Sequence, residues 1–210
     1  MQTVIVYDRP SPHLNHRGSM TTILLFHHVQ GLTPGVTAFA NTLRAAGHSV
    51  HTPDLLDGHQ FASIPDGLAY LQQLGFGTVI ARGTEAAGAH PEADVVIGMS
   101  MGVLPAQYLA QTRAGMRGAV FLHGAVPVSE FSPTWPRQVA VQVHAMEADP
   151  EFVASGDIEA ARDIVAQAEW GEMFLYPGSA HLFTDNSLAD YDAAAAALVT
   201  ERVLGFLAKL

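Results

Sequence analysis

Residues 94–102 read DVVIGMSMG. Three β-branched residues, Val95 to Ile97, run into a short stretch in which glycines stand two before and two after Ser100, and a segment rich in alanine and leucine follows. The apolar run predicts a buried strand and the segment after it a helix, so the stretch as a whole predicts strand, tight turn, helix. Gly98 and Gly102 then have a mechanical use, because a turn this sharp brings strand and helix backbones together and only residues without a Cβ leave room. Ser100 at the apex is either a nucleophile or a serine in a glycine turn. With 19 glycines in the chain the pattern alone does not decide.

Outward from that turn, short apolar runs alternate with helical patterns. TILLFH (22–27), SVHT (49–52), DVVIG (94–98), GAVFLH (118–123), VAVQVHA (139–145) and EMFLYP (172–177) read as buried strands. Between the first two, Thr33 stands at a cap position and Pro34 at the first helical one. Val36, Phe39, Ala40 and Leu43 follow at i, i+3, i+4 and i+7, and Gly47 ends the helix. Further helices are expected over 64–74, 78–88, 102–113, 157–168 and 188–208, with Pro105 in the first turns of its helix or kinking it. Such alternation implies an α/β fold: a mainly parallel sheet with helices on both faces. Ligands of such sheets bind beyond the carboxyl ends of the strands, which is where Ser100 falls.

Composition narrows the rest. At 210 residues and 49% hydrophobic content the chain buries one sizeable core. Ten Lys plus Arg against twenty Asp plus Glu give a net charge of −10, and Lys209 is the only lysine. No basic stripe exists to neutralise a phosphate backbone, which excludes a nucleic-acid partner. The absence of cysteine removes thiol chemistry and disulfides and fits a cytoplasmic protein. No apolar run approaches the roughly 20 residues of a membrane helix. Residues 1–19 are polar and turn-rich, and Gly18-Ser19-Met20 reads as the scar of a tag or flexible extension ahead of a single domain over 20–210; a first strand at Thr3–Tyr7 is the alternative.

A serine hydroxyl needs a base, and the base needs a third group to hold its tautomer. A Gly-x-Ser-x-Gly turn between strand and helix is the nucleophile elbow of α/β-hydrolases, in which acid and then histidine follow the serine in chain order. In that order His181, in YPGSAHLF after the last strand, is the expected base. Asp149 is the expected acid, with Glu147 two residues before it as the alternative.

Taken together, GMSMG, HAMEADPEF and YPGSAHLF, with FHHVQGLTPGV and HTPDLLDG upstream, resemble the dienelactone hydrolase family of α/β-hydrolases over nearly all of residues 20–210. The resemblance implies a Ser100, Asp149 and His181 triad that hydrolyses carboxylic esters or lactones through an acyl-enzyme, with no cofactor. It also implies an oxyanion hole made by the backbone N–H groups of Val29 and Met101. Two departures stand out. Prototype members carry a cysteine where Ser100 stands and, where His28 stands, a glutamate tied to control of the resting thiol. Losing both together is chemically consistent and points away from strict dienelactone specificity.

His28 and His123 are candidates for lining the pocket, His28 also for meeting a substrate carboxylate, and Trp135, Phe152 and Phe183 are candidates for an apolar wall. No metal site is expected, because adjacent His27 and His28 point to opposite faces of a strand. His48 and His51 lack a further ligand at the right spacing. The short connection between GAVFLH and VAVQVHA leaves no room for a large cap, so the site should be open and suited to small esters. A thioesterase or lysophospholipase-like activity would use the same triad, and a non-catalytic scaffold binding a small ligand is the competing class.

Overall fold

The computed structural model describes residues 20–210, so the alternatives for the N-terminal segment lie outside the described residues. Six strands, β1 (Thr22–Phe26), β2 (Ser49–His51), β3 (Val95–Met99), β4 (Gly118–Leu122), β5 (Ala140–Met146) and β6 (Gly171–Tyr176), form one sheet. Their order is β2-β1-β3-β4-β5-β6 and every pairing is parallel. The helices are α1 (Pro34–Ala45), α2 (Ile64–Leu74), α3 (Phe76–Ala89), α4 (Val103–Thr112), α5 (Pro150–Ala154), α6 (Asp157–Gln167) and α7 (Ala193–Leu207). This is an α/β-hydrolase fold without a large cap.

Alternate residues along each strand feed two separate cores, as a period of two requires. Ile23, Leu25, Val120 and Leu122 pack with Val36, Phe39 and Leu43 of α1 and Val199, Val203 and Phe206 of α7. Leu24, Phe26, Ala119 and Phe121 face the other way, against Val79 of α3, Ala106 and Leu109 of α4, and Ile164 of α6. β1, β3 and β4 therefore read as nearly continuous hydrophobic runs, whereas β5 also buries Gln142 and His144, which bond each other at 2.8 Å.

The helix ends follow their caps. Thr33 accepts from the Val36 N–H and Pro34 opens α1. The last helix starts later than its alanine-rich pattern implied: Asp192 accepts from the Ala194 and Ala195 N–H groups, both at 3.0 Å, and fixes the first turn there. α5 is new relative to the sequence reading, since one turn is too short to show a period. Pro105 does not kink α4, because it occupies the first turn, where its missing N–H has no intrahelical partner to lose. Between β3 and α4, residues Ser100–Gly102 form a single 3₁₀ turn.

Candidate active site

That turn carries the serine singled out by the sequence. Ser100 has φ 48°, in the left-handed region that a side-chain-bearing residue occupies at a cost of roughly 1–3 kcal/mol. The flanking glycines let it form. A Cβ on Gly98 would lie 2.5 Å from the Gly102 carbonyl oxygen, and one on Gly102 would lie 2.3 Å from the Phe26 carbonyl oxygen. The fold therefore holds the serine at the carboxyl edge with α4 starting directly behind it.

Two further loops close on Ser100. Its hydroxyl is 2.8 Å from His181 Nε2, and His181 Nδ1 is 2.7 Å from Asp149 Oδ2. With the Nδ1 proton donated to the carboxylate, Nε2 is free to accept from the serine. Asp149 is fully buried and also caps α5, its Oδ1 accepting from the Glu151 N–H. Glu147 is exposed, and only its backbone N–H is engaged, with the Tyr176 carbonyl. Of the two carboxylates the sequence left open, the structure brings Asp149 to the histidine.

Val29 and Met101 are both buried, Val29 in a turn closed by the Gly31 N–H on the His28 carbonyl and Met101 in the 3₁₀ turn after Ser100. His28 is buried and engaged in a second pair. Its Nδ1 accepts from the Gln30 N–H, so its Nε2 carries the proton and donates to Asp185 Oδ2 at 2.8 Å. Burial lowers the His28 pKa despite this partner. For Asp185, burial alone would raise the pKa, but bonds from His28, Ser187 and Thr33 outweigh it and hold the carboxyl well below the usual range. Asp185 thus ties the loop carrying Val29 to the loop carrying His181. Sequence reasoning missed it, since a lone aspartate in a polar loop gives no hint of a partner 157 positions away.

His123 also takes a left-handed backbone, φ 67°. Its Nε2 lies 2.7 Å from the Thr184 hydroxyl and its ring packs edge-on against Phe183, 5.9 Å from the His181 ring. Nδ1 has no hydrogen-bond partner among the described residues. Complete burial, then the neighbouring histidines, push its pKa well down and keep it neutral. The three aromatic candidates for a pocket wall belong to the interior. Trp135, Phe152 and Phe183 are each at most 1% exposed, and the Trp135 indole N–H donates to the Val139 carbonyl.

His27 Nε2 accepts from the Leu55 N–H and His48 pairs with Thr21, so neither joins a ligand set. His51 does meet a third histidine and a carboxylate, His90 and Glu92, which arrive from the far end of α3. The two rings stack at 3.6 Å and 21°, and His51 Nε2 and His90 Nδ1 lie 3.7 and 3.4 Å from the same Glu92 oxygen, so the expectation that His51 lacks further ligand groups is corrected: the fold supplies two that sequence spacing does not show. Among the described residues, no helix is long and apolar enough to cross a membrane.

A model of the dienelactone hydrolase family matches residues 13–210. No curated protein matches the sequence. Among solved structures, a dienelactone hydrolase-like promiscuous phosphotriesterase from metagenomic libraries is 21% identical, with 92% of this chain and 88% of that one covered and a TM-score of 0.71. The metagenome-derived lipolytic enzymes LipS and LipT give 18% identity, 92% and 95% coverage and a TM-score of 0.60. Dienelactone hydrolase from Anabaena variabilis ATCC 29413 gives 17%, 89% and 85%, and 0.57. At these identities the likeness is one of fold.

Proposed function

The chain belongs to the dienelactone hydrolase family, and from that premise we propose that it is a serine hydrolase cleaving carboxylic esters or lactones through an acyl-enzyme. The observation that carries this reading is the unbroken line from Ser100 Oγ to His181 Nε2, 2.8 Å, and from His181 Nδ1 to Asp149 Oδ2, 2.7 Å. Ser100 Oγ attacks the carbonyl carbon as His181 Nε2 takes its proton. Asp149 keeps the imidazole in the tautomer with Nδ1 protonated and stabilises the imidazolium that forms. Charge on the carbonyl oxygen is received by the Met101 and Val29 N–H groups; one such donor is worth about 2.7–4 kcal/mol in the barrier. The His28–Asp185 pair supports this by anchoring the turn that contains Val29.

Collapse of the tetrahedral intermediate breaks the ester C–O bond, and His181 returns the proton to the departing alkoxide. Water then attacks the acyl-serine, again losing a proton to Nε2, and the acid leaves as Ser100 recovers its hydrogen. With no large cap among the described elements, the site suits small esters and lactones.

The test is turnover of p-nitrophenyl acetate together with labelling by a fluorophosphonate, the adduct being located by mass spectrometry. Hydrolysis with the label on Ser100 supports the proposal. A protein that neither turns the ester over nor labels at Ser100 is a non-catalytic scaffold.

A further inference from the structure

The reaction needs one carboxylate beside the histidine, but the carboxyl edge of the sheet, where Ser100 stands, carries many more. The segments that follow the strands at their carboxyl ends are 27–33, 52–63, 100–102, 123–130, 147–156 and 177–192. With Asp157, the first residue of α6, they hold ten of the chain's twenty carboxylates and none of its ten lysines and arginines. Among the described residues cations gather elsewhere: Arg117 and Arg137 line a cavity at the opposite edge of the sheet with Trp170 and Leu210. Arg202, on α7, lies over the Phe174 and Tyr176 rings. Arg82 reaches one of the segments from α3, where it is bound to Asp57 and the Leu55 carbonyl.

One of these carboxylates stands beside the nucleophile without a part in the triad. A methyl group placed on Gly124 would lie 3.4 Å from Asp157 Oδ2, 3.5 Å from the Ser100 carbonyl oxygen and 3.6 Å from Ser100 Cα. Only the space of one missing side chain separates the two residues. Asp157 also interacts electrostatically with His181 and Asp149. Its Oδ2 accepts from the Ala125 N–H at 3.1 Å and its Oδ1 from the Ser155 hydroxyl at 2.7 Å. Each carboxylate oxygen has room for a second donor. Burial raises its pKa, as expected of a carboxylate whose lost hydration two hydrogen bonds do not fully replace.

We infer that this site selects esters that are uncharged or positively charged near the scissile carbonyl, that it disfavours carboxylate-bearing ones, and that Asp157 receives the positive group. The inference rests on the serine hydrolase reading and names its substrate class. A cleft lined by one sign of charge concentrates ligands of the other sign and repels its own, by factors of roughly 10–1000 in association rate. Salt shortens that reach to about 8 Å at physiological ionic strength.

Two matched sets of substrates test it. On the leaving side, S-acetylthiocholine, its neutral isostere S-(3,3-dimethylbutyl) thioacetate and 3-(acetylthio)propanoate share one acyl group. The chain has no cysteine, so thiol release is read against a clean background. On the acyl side, the p-nitrophenyl esters of 4-(trimethylammonio)butanoate, 5,5-dimethylhexanoate and glutarate do the same with one leaving group. In at least one set kcat/KM should rise about tenfold from anion to neutral and again from neutral to cation. The cation-to-neutral ratio should shrink severalfold in 0.5 M salt and in Asp157→Asn. The inference is overturned if anionic esters match their neutral isosteres in both sets, or if the ratio is the same in Asp157→Asn as in the wild type. Should that variant not fold, the salt dependence of the wild-type ratio decides. A Ser100 that takes the fluorophosphonate while charge makes no difference sinks this inference alone; absence of both labelling and turnover removes the hydrolase reading and this one with it.

Discussion

His181 divides its two ring nitrogens between Ser100 and Asp149, and that division makes the strongest residue-level prediction. Ser100→Ala and His181→Ala should each lower kcat by about 10⁴-fold or more, and the double variant should be no worse than either single, because triad members act as a unit. Multiplying losses in steady-state kinetics would mean that the two act independently. Asp149→Asn should cost roughly 10⁴-fold through the wrong tautomer, whereas Glu147→Gln should stay near the wild type. Ser100 and His181 were legible in the sequence because each lies in a short motif directly after a strand. Asp149 was the expected acid on weaker grounds, with Glu147 as the alternative, since both follow β5. What separates them is that Asp149 caps α5 with one oxygen and reaches His181 with the other. Trp135, Phe152 and Phe183 show the opposite failure: an apolar side chain in a connecting segment is spelled the same whether it lines a cleft or fills a core. Asp185 and Asp157 were missed because their partners come from distant loops.

At the scale of elements the sequence was more informative, for a physical reason. A strand buried on both faces is predominantly apolar, and an amphipathic helix repeats its apolar side every three to four residues, so both leave local patterns. The six strands and the longer helices follow those patterns. α5 and the start of α7 do not, being set by single caps on Asp149 and Asp192. The elbow makes the most exacting packing demand, and a pair of glycines tests it. Gly102→Ala puts a Cβ 2.3 Å from the Phe26 carbonyl oxygen and should destabilise the fold by about 1–3 kcal/mol. It should also lower turnover by shifting Ser100. Gly88→Ala, on an exposed turn of α3 with nothing within 4 Å of the new methyl, should instead stabilise by about 0.5–1 kcal/mol. Urea unfolding midpoints of the two variants should therefore move in opposite directions. A Gly102→Ala as stable as the wild type would show that strand and helix do not approach so closely.

For the molecule as a whole, net charge was legible from composition but its placement needed the topology, which brings half of the carboxylates to the sheet edge that carries Ser100. Titration of buried groups extends this to stability. His28, His123 and His144 are buried and neutral, each with a pKa lowered by burial, that of His144 to about 3, where the nearby Arg202 cation adds to the effect. In the unfolded chain the same histidines titrate near 6.5. Below that pH the unfolded state binds protons that the native state refuses, so stability is full above pH 6.5 and falls as the pH drops. Each such group costs about 1.4 kcal/mol per pH unit until its native pKa is reached. His123 and His144 alone then remove close to 3 kcal/mol per unit, against a total of about 5–15 kcal/mol for a typical domain. Asp185, whose native pKa is depressed, works at lower pH: its stabilisation is present above roughly pH 4 and is lost only as the medium becomes more acidic than that. The decline between pH 6.5 and 5 should accordingly be set by histidine. Urea unfolding across that range should show proton uptake of about two or more per molecule, and His144→Gln, which can still bond Tyr176, should reduce the uptake by about one. A stability that stays level from pH 6.5 to 5 would mean that these histidines take up protons in place, without opening the sheet that buries them.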